Sequence, residues 1–142
     1  MSHPVHPILV HFPVAFWSFA TVGDLLSFKY GERLSEVTGA CLTLGTLMAL
    51  VAMGGGLFDM LKIKSDSPAM KVLNLHIVFV VITWGLYASS LFLRIEEKTL
   101  VQVGVLEVGL SVAGFICLCV TGFLGGRLVY EYGVGVDNKF CD

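Results

Sequence analysis

Two histidines set within apolar runs, His11 and His76, are the residues of this chain best suited to chemistry. An imidazole in a low-dielectric interior is costly unless its nitrogens are occupied, and neutral imidazole is the commonest protein ligand for a metal. Two sets of glycines accompany them, Gly54-Gly55-Gly56 and Gly122, Gly125, Gly126. Glycine clears side-chain volume where something flat or close must fit. Together these residues point to haem b, with His11 and His76 as axial ligands and His6 as an additional candidate ligand. The macrocycle would occupy space left by Gly54, Gly55, Gly122, Gly125 and Gly126. Its propionates would meet Arg127, Lys62, Lys64, Lys71 or Tyr130 at the lip. Asp59 would hold a ligand imidazole by its second nitrogen. Each feature also has a plainer reading: interior histidines bonded to carbonyls, glycines as helix contacts, and Tyr130 and Tyr132 as interfacial anchors.

The elements that must position these residues follow from the charges. Of 142 residues, 56% are hydrophobic and 14% charged, and the mean hydropathy is +0.83. A soluble domain carries about a quarter charged residues, so the composition implies an integral membrane protein. The net charge of -2 gives no basic field for nucleic acid. No Asp, Glu, Lys or Arg occurs over Val5–Gly23, Val37–Phe58, Val72–Leu93 or Val108–Gly126. Each gap is about 20 residues, the length that crosses a hydrocarbon core of about 30 Å. The sequence therefore predicts one all-α domain over 1–142, with spans at about 7–27, 37–58, 72–93 and 107–127. Short connections favour an antiparallel up-down-up-down four-helix bundle. The N-terminus lacks the positive segment of a cleaved secretory signal, so the first span is expected to remain in the mature protein.

With odd helices running one way and even helices the other, His11, His76 and both glycine sets fall at one depth. That layer lies about 5–8 Å below the helix ends on the N-terminal side. His3 and His6 share this side. Lys62, Lys64, Lys71, Arg127 and Lys139 stand there against Lys29, Arg33, Arg94 and Lys98 opposite, which favours a cytoplasmic N-terminus in a bacterial inner membrane. His11, Ala15, Ser18 and Val22 form one expected inward seam; Gly39, Thr43, Thr46, Leu50 and Gly54 form a second, and His76, Val80, Thr83 and Tyr87 a third. Pro13 should kink the first helix beside His11. Trp17 and Trp84 are expected to fill the core. At the other lip, Asp24 and Glu107 form either a proton-accepting pair or a pair neutralised by Lys29, Arg33, Arg94 or Lys98 reaching inward; neutralisation is favoured. Cys41, Cys117, Cys119 and Cys141 show no metal or redox spacing.

The opening run His6-Pro7-Ile8-Leu9-Val10-His11-Phe12-Pro13 and the closing Gly125-Gly126-Arg127-Leu128-Val129-Tyr130 with Gly133-Val134-Gly135-Val136 resemble a widespread bacterial family. Its members are small four-span membrane proteins of unassigned activity. The resemblance covers nearly the whole chain and implies class and topology. A histidine often precedes the Gly-Val-Gly-Val run in that family; here Tyr132 stands in its place, so that ligand would be lacking. The bundle is also similar, at the level of fold, to four-helix membrane b-type cytochromes. The expected function is electron transfer in or across the membrane by a haem protein, an electron carrier more than an ordinary enzyme, with a haem-dependent oxidoreductase activity left open. A quinone or another redox protein would be the partner, and haem would sit within one chain or at a homodimer interface. Two alternatives stand beside it. One is a zinc or copper binding or transport protein, using the histidines, Asp59 and Met53, Met60 and Met70. The other is a structural subunit of a membrane complex, in which the polar groups are interhelical bonds.

Overall fold

In the computed structural model of the chain, the described residues are 8–60, 63, 67–96, 99–100 and 103–134. They form four long helices, α1 (His11–Tyr30), α2 (Glu32–Met60), α3 (Ala69–Leu93) and α4 (Val105–Tyr130). A two-stranded antiparallel ribbon, β1 (Ile95–Glu96) and β2 (Thr99–Leu100), pairs Ile95 with Leu100 between α3 and α4. Three stretches are long and apolar enough to cross a membrane: Arg33–Phe58, Ala69–Leu93 and Val105–Tyr130. The expected spans 37–58, 72–93 and 107–127 fall inside them. The 20-residue α1, as bounded at His11, is not among them.

Helix boundaries depart from the sequence reading in a consistent direction. A turn at Val10 sets off the start of α1; Pro13 has no N–H to offer the Leu9 carbonyl, so the ladder is interrupted there. The predicted loop over 27–36 shrinks to Gly31, whose φ of 83° suits glycine and whose N–H donates to the Ser27 carbonyl at 2.8 Å. The glycines of the second and fourth spans lie inside their helices; α2 runs on to Met60 and α4 to Tyr130. In apolar surroundings the backbone has no water to bond, so continuing the helix outweighs the low propensity of glycine. At the start of α4, the Glu107 carboxylate folds back over Gly104, where a Cβ would lie 2.6 Å from Oε2. An acid at that position offsets the positive end of the helix.

The helices associate as two hairpins. α1 packs along α2 and α3 along α4, while α1 meets α4 and α2 meets α3 over shorter stretches. Trp17 meets Thr46 while Gly23 faces Thr38, so numbering falls along α2 as it rises along α1. His76 meets Thr121 and Ser90 meets Glu107, giving the same relation between α3 and α4. Between α1 and α3 the numbering runs in step, with Thr21 at Tyr87 and Asp24 at Arg94.

The interior is polar and the exterior apolar. Thr21, Asp24, Ser27, Thr38, Thr83, Ser90, Arg94 and Ser111 are buried, while Phe19, Leu47, Val81 and Phe123 are exposed. A protein in water is arranged the other way round; this pattern suits a lipid surround, where small and hydroxylated residues bring helices together. At the centre, Trp17 stacks on Tyr87 with ring centroids 4.5 Å apart and planes at 11°. Glycines seat this stack: a Cβ at Gly45 would lie 2.8 Å from Trp17 Cδ1, and one at Gly114 would lie 3.0 Å from Tyr87 Cε2.

The seam expected to face inward on the first helix does not do so. His11, Ala15 and Val22 are exposed and Ser18 is half-buried, while Pro13, Trp17, Ala20, Thr21, Gly23, Asp24 and Ser27 form the inner face. A helix apolar all round gives little rotational signal. Its orientation is set by the groups that most need partners, Trp17 and Asp24. On α2, Gly39 and Thr46 are buried, but Leu50 and Gly54 turn outward. The α3 seam does turn inward: His76 and Val80 are half-buried, and Thr83 and Tyr87 fully buried.

Candidate functional site

His76 sits on the α3 face that meets α4. Its Nδ1 lies 3.1 Å from the Thr121 carbonyl, which orients the ring. Thr121 in turn donates to the Cys117 carbonyl and lies 3.4 Å, hydroxyl to hydroxyl, from Thr83. Gly125 makes the ring position accessible: a Cβ there would stand 3.3 Å from His76 Cε1 and 3.7 Å from Nδ1. The glycine therefore receives the imidazole itself. Metal-bound imidazoles hold a carbonyl with their second nitrogen in this way, and so do interior histidines that bond only to the protein.

His11 and His76 lie toward the same end of the bundle. Thr21 Oγ1 and Tyr87 Oη lie 2.8 Å apart and tie α1 to α3 at one level. His11 is ten residues before Thr21, and His76 eleven before Tyr87. At 1.5 Å per residue this contact puts the two about 2 Å apart along the axis, while the Trp17–Tyr87 stack, six residues after His11 and eleven after His76, puts them about 7–8 Å apart. Laterally they differ: His76 is half-buried and His11 exposed.

The other predicted residues divide. Gly54 and Gly122 are exposed, with nothing within 4 Å of a Cβ at either position, so the space they leave opens outward. Gly55 and Gly126 are half-buried. Arg127 is engaged by Glu131, with its Nε 2.9 Å from Oε1 and its NH2 2.8 Å from Oε2, and holds the Glu131 carboxyl below its ordinary pKa. Tyr130 is 91% exposed, in keeping with an interfacial anchor. Gly126, Arg127 and Tyr130 line an open depression of about 270 Å³ with Phe123 and Glu131. Lys71 is exposed. His6, Lys62 and Lys64 lie outside the described residues, as does the side chain of Asp59. Among the described residues no group of three or more His, Cys, Asp or Glu side chains converges as a metal site.

The most connected polar cluster lies at the opposite end. Arg94 grips Asp24 through both carboxylate oxygens, NH1 to Oδ1 at 2.9 Å and NH2 to Oδ2 at 2.5 Å. The Arg94 NH2 also donates to Ser90 Oγ at 3.2 Å and Ser111 Oγ at 3.3 Å, and Ser111 bonds Asp24 Oδ2 at 3.1 Å. Side chains of Arg94 and Asp24 are 1% and 0% exposed, and Arg94 Nε has no partner. The expected neutralisation of Asp24 is thus realised by Arg94, from the interior rather than by reaching in from the lip. Glu107 has no part in it through its carboxylate; Ser90 bonds only its backbone carbonyl. Sequence reasoning placed both charges at an aqueous edge because spacing alone does not say which edge residues point inward. Ser90, four residues before Arg94 on a helix, was the available hint.

Trp17 Nε1 donates to Thr46 Oγ1 at 3.3 Å, and Trp84 Nε1 to the Thr46 carbonyl at 3.2 Å, so two indoles from different hairpins converge on α2. An open apolar depression of about 550 Å³ on the outer face of α3 is lined by Trp84, Gly85, Ala88, Ser89, Phe92 and Leu93, without either histidine.

The model of one protein family, described as "Predicted membrane protein (DUF2231)", matches residues 2–138, and the chain belongs to that family. No curated protein and no solved structure matches the chain.

Proposed function

We propose that this family member is a b-type haem protein of the bacterial cytoplasmic membrane that carries electrons in or across the bilayer. In this reading its helices thread the membrane up-down-up-down, with the N-terminus cytoplasmic. What supports the reading is the His76 ring, oriented by the Thr121 carbonyl and seated over Gly125, with His11 toward the same end of the bundle. Haem held by two imidazoles would supply one-electron transfer without an open coordination position. His76 would supply one axial imidazole. His11 would supply the second imidazole, and Gly54 and Gly122 the open surface for the macrocycle edge. Because His11 and these glycines are exposed, the reading includes a homodimer in which a second copy covers that surface. Quinone or another redox protein would exchange the electron.

A pyridine haemochrome assay on purified protein tests this reading. The expected result is a Soret band that shifts on dithionite reduction, and loss of most haem in both His11→Ala and His76→Ala. Colourless protein that takes up no added haem refutes it, and elemental analysis of the same sample reports zinc or copper if either is the resident metal. A structural subunit is the second reading, favoured by the Asp24–Arg94 cluster, whose bonds join helices of this one chain. It requires that both histidine variants leave cofactor content and membrane redox activity unchanged.

A further inference from the structure

We infer that α1 is a conditional membrane span, kept in the bilayer by the docking of Asp24 onto Arg94 of the α3–α4 hairpin. The 20-residue α1 carries a carboxylate, Asp24, within its apolar run. A carboxylate inside a span is strongly disfavoured unless it is paired or faces a polar interior. Asp24 is fully buried, and its carboxylate bonds go to Arg94 at the end of α3 and Ser111 on α4. The cations nearer to it in sequence lie elsewhere: Lys29 stands 5.6 Å over the Tyr30 ring, and Arg33 is exposed.

Further polar contacts of α1 point the same way. Thr21 meets Tyr87 Oη on α3 and the Ser111 carbonyl on α4, and Trp17 stacks on Tyr87. The α1–α2 hairpin alone would therefore carry a carboxylate into hydrocarbon without its guanidinium, and α1 would leave the apolar phase. Docking on α3–α4 supplies the guanidinium and two hydroxyls together. The placement of α1 is thus a property of the assembled bundle. This holds whether or not the histidines bind haem.

Cysteine accessibility in the full chain tests it. Cys41, Cys117, Cys119 and Cys141 are replaced by alanine, and lipid-facing Phe19, 51% exposed in the isolated chain, becomes the single reporter as Phe19→Cys. A membrane-impermeant maleimide is applied to both faces of native membranes. The parent is expected to label weakly, and Arg94→Gln to raise labelling at least severalfold. Adding Asp24→Leu to Arg94→Gln should return it to the parent level, because α1 then has no charge to bury. Unchanged labelling in Arg94→Gln overturns the inference. So does labelling that stays high in the double variant, which would mean general misfolding instead of a missing counter-charge.

Discussion

Replacing Arg94 by glutamine should destabilise the protein far more than the size of the change suggests. The guanidinium supplies two contacts to the Asp24 carboxylate, at 2.9 and 2.5 Å, and further bonds to Ser90 and Ser111. Without it, Asp24 keeps its carboxylate bond to Ser111 at a site with no exposure. Removing one member of a buried pair costs about 3–5 kcal/mol, mostly for the charge left behind. Asp24→Asn in the same chain removes that charge, leaving the loss of a few hydrogen bonds at about 1 kcal/mol each. The double variant should therefore be more stable than Arg94→Gln alone, with a coupling energy of about 2 kcal/mol or more. Trp17 and Trp84 provide the signal: unfolding in mixed detergent–SDS micelles, followed by tryptophan fluorescence, gives all four corners of the cycle. Additive effects of the two substitutions would refute the reasoning, since they would mean that water or another group already compensates each charge.

Other substitutions probe the remaining contacts. Gly125→Ala places a methyl 3.3 Å from His76 Cε1, so the ring must shift by a few tenths of an ångström; stability should fall by about 1 kcal/mol, and haem content should fall in purified protein. Tyr87→Phe removes the 2.8 Å contact to Thr21 but keeps the stack on Trp17, so a loss of about 1 kcal/mol without a shift of the tryptophan emission maximum is expected. Gly114→Ala, whose methyl would meet the Tyr87 ring at 3.0 Å, should shift that maximum. Glu131 should titrate by NMR below an ordinary glutamate because Arg127 bonds its carboxylate. Their contact is present above the ordinary glutamate pKa and lost as pH falls through the lowered value, and Arg127→Gln should bring the titration back up.

The membrane class, the helical fold and three of the spans could be read from where charges are missing, because crossing hydrocarbon demands a length of apolar helix whatever its neighbours are. The burial of Trp17 and the inward α3 seam from His76 through Tyr87 were legible as well, the first from size and the second from spacing. The rotation of α1 was not. His11 and Ala15 looked like an inward seam and face outward, since every side of that helix is apolar enough to pass for a core face. Spacing suggests space inside the bundle at Gly54 and Gly122; the packing turns both to its surface, while Gly125 does meet His76.

The four long helices and their apolar surfaces thus follow from the sequence, because both depend on sums over about twenty residues. Tertiary structure decided which polar groups meet. Asp24 and Arg94 are separated by 70 positions and flank different spans, and neither carries a local signal of the other. Only the docking of one helical hairpin on the other brings a carboxylate and a guanidinium to the same depth and the same side, where a lipid surround leaves each of them no better partner.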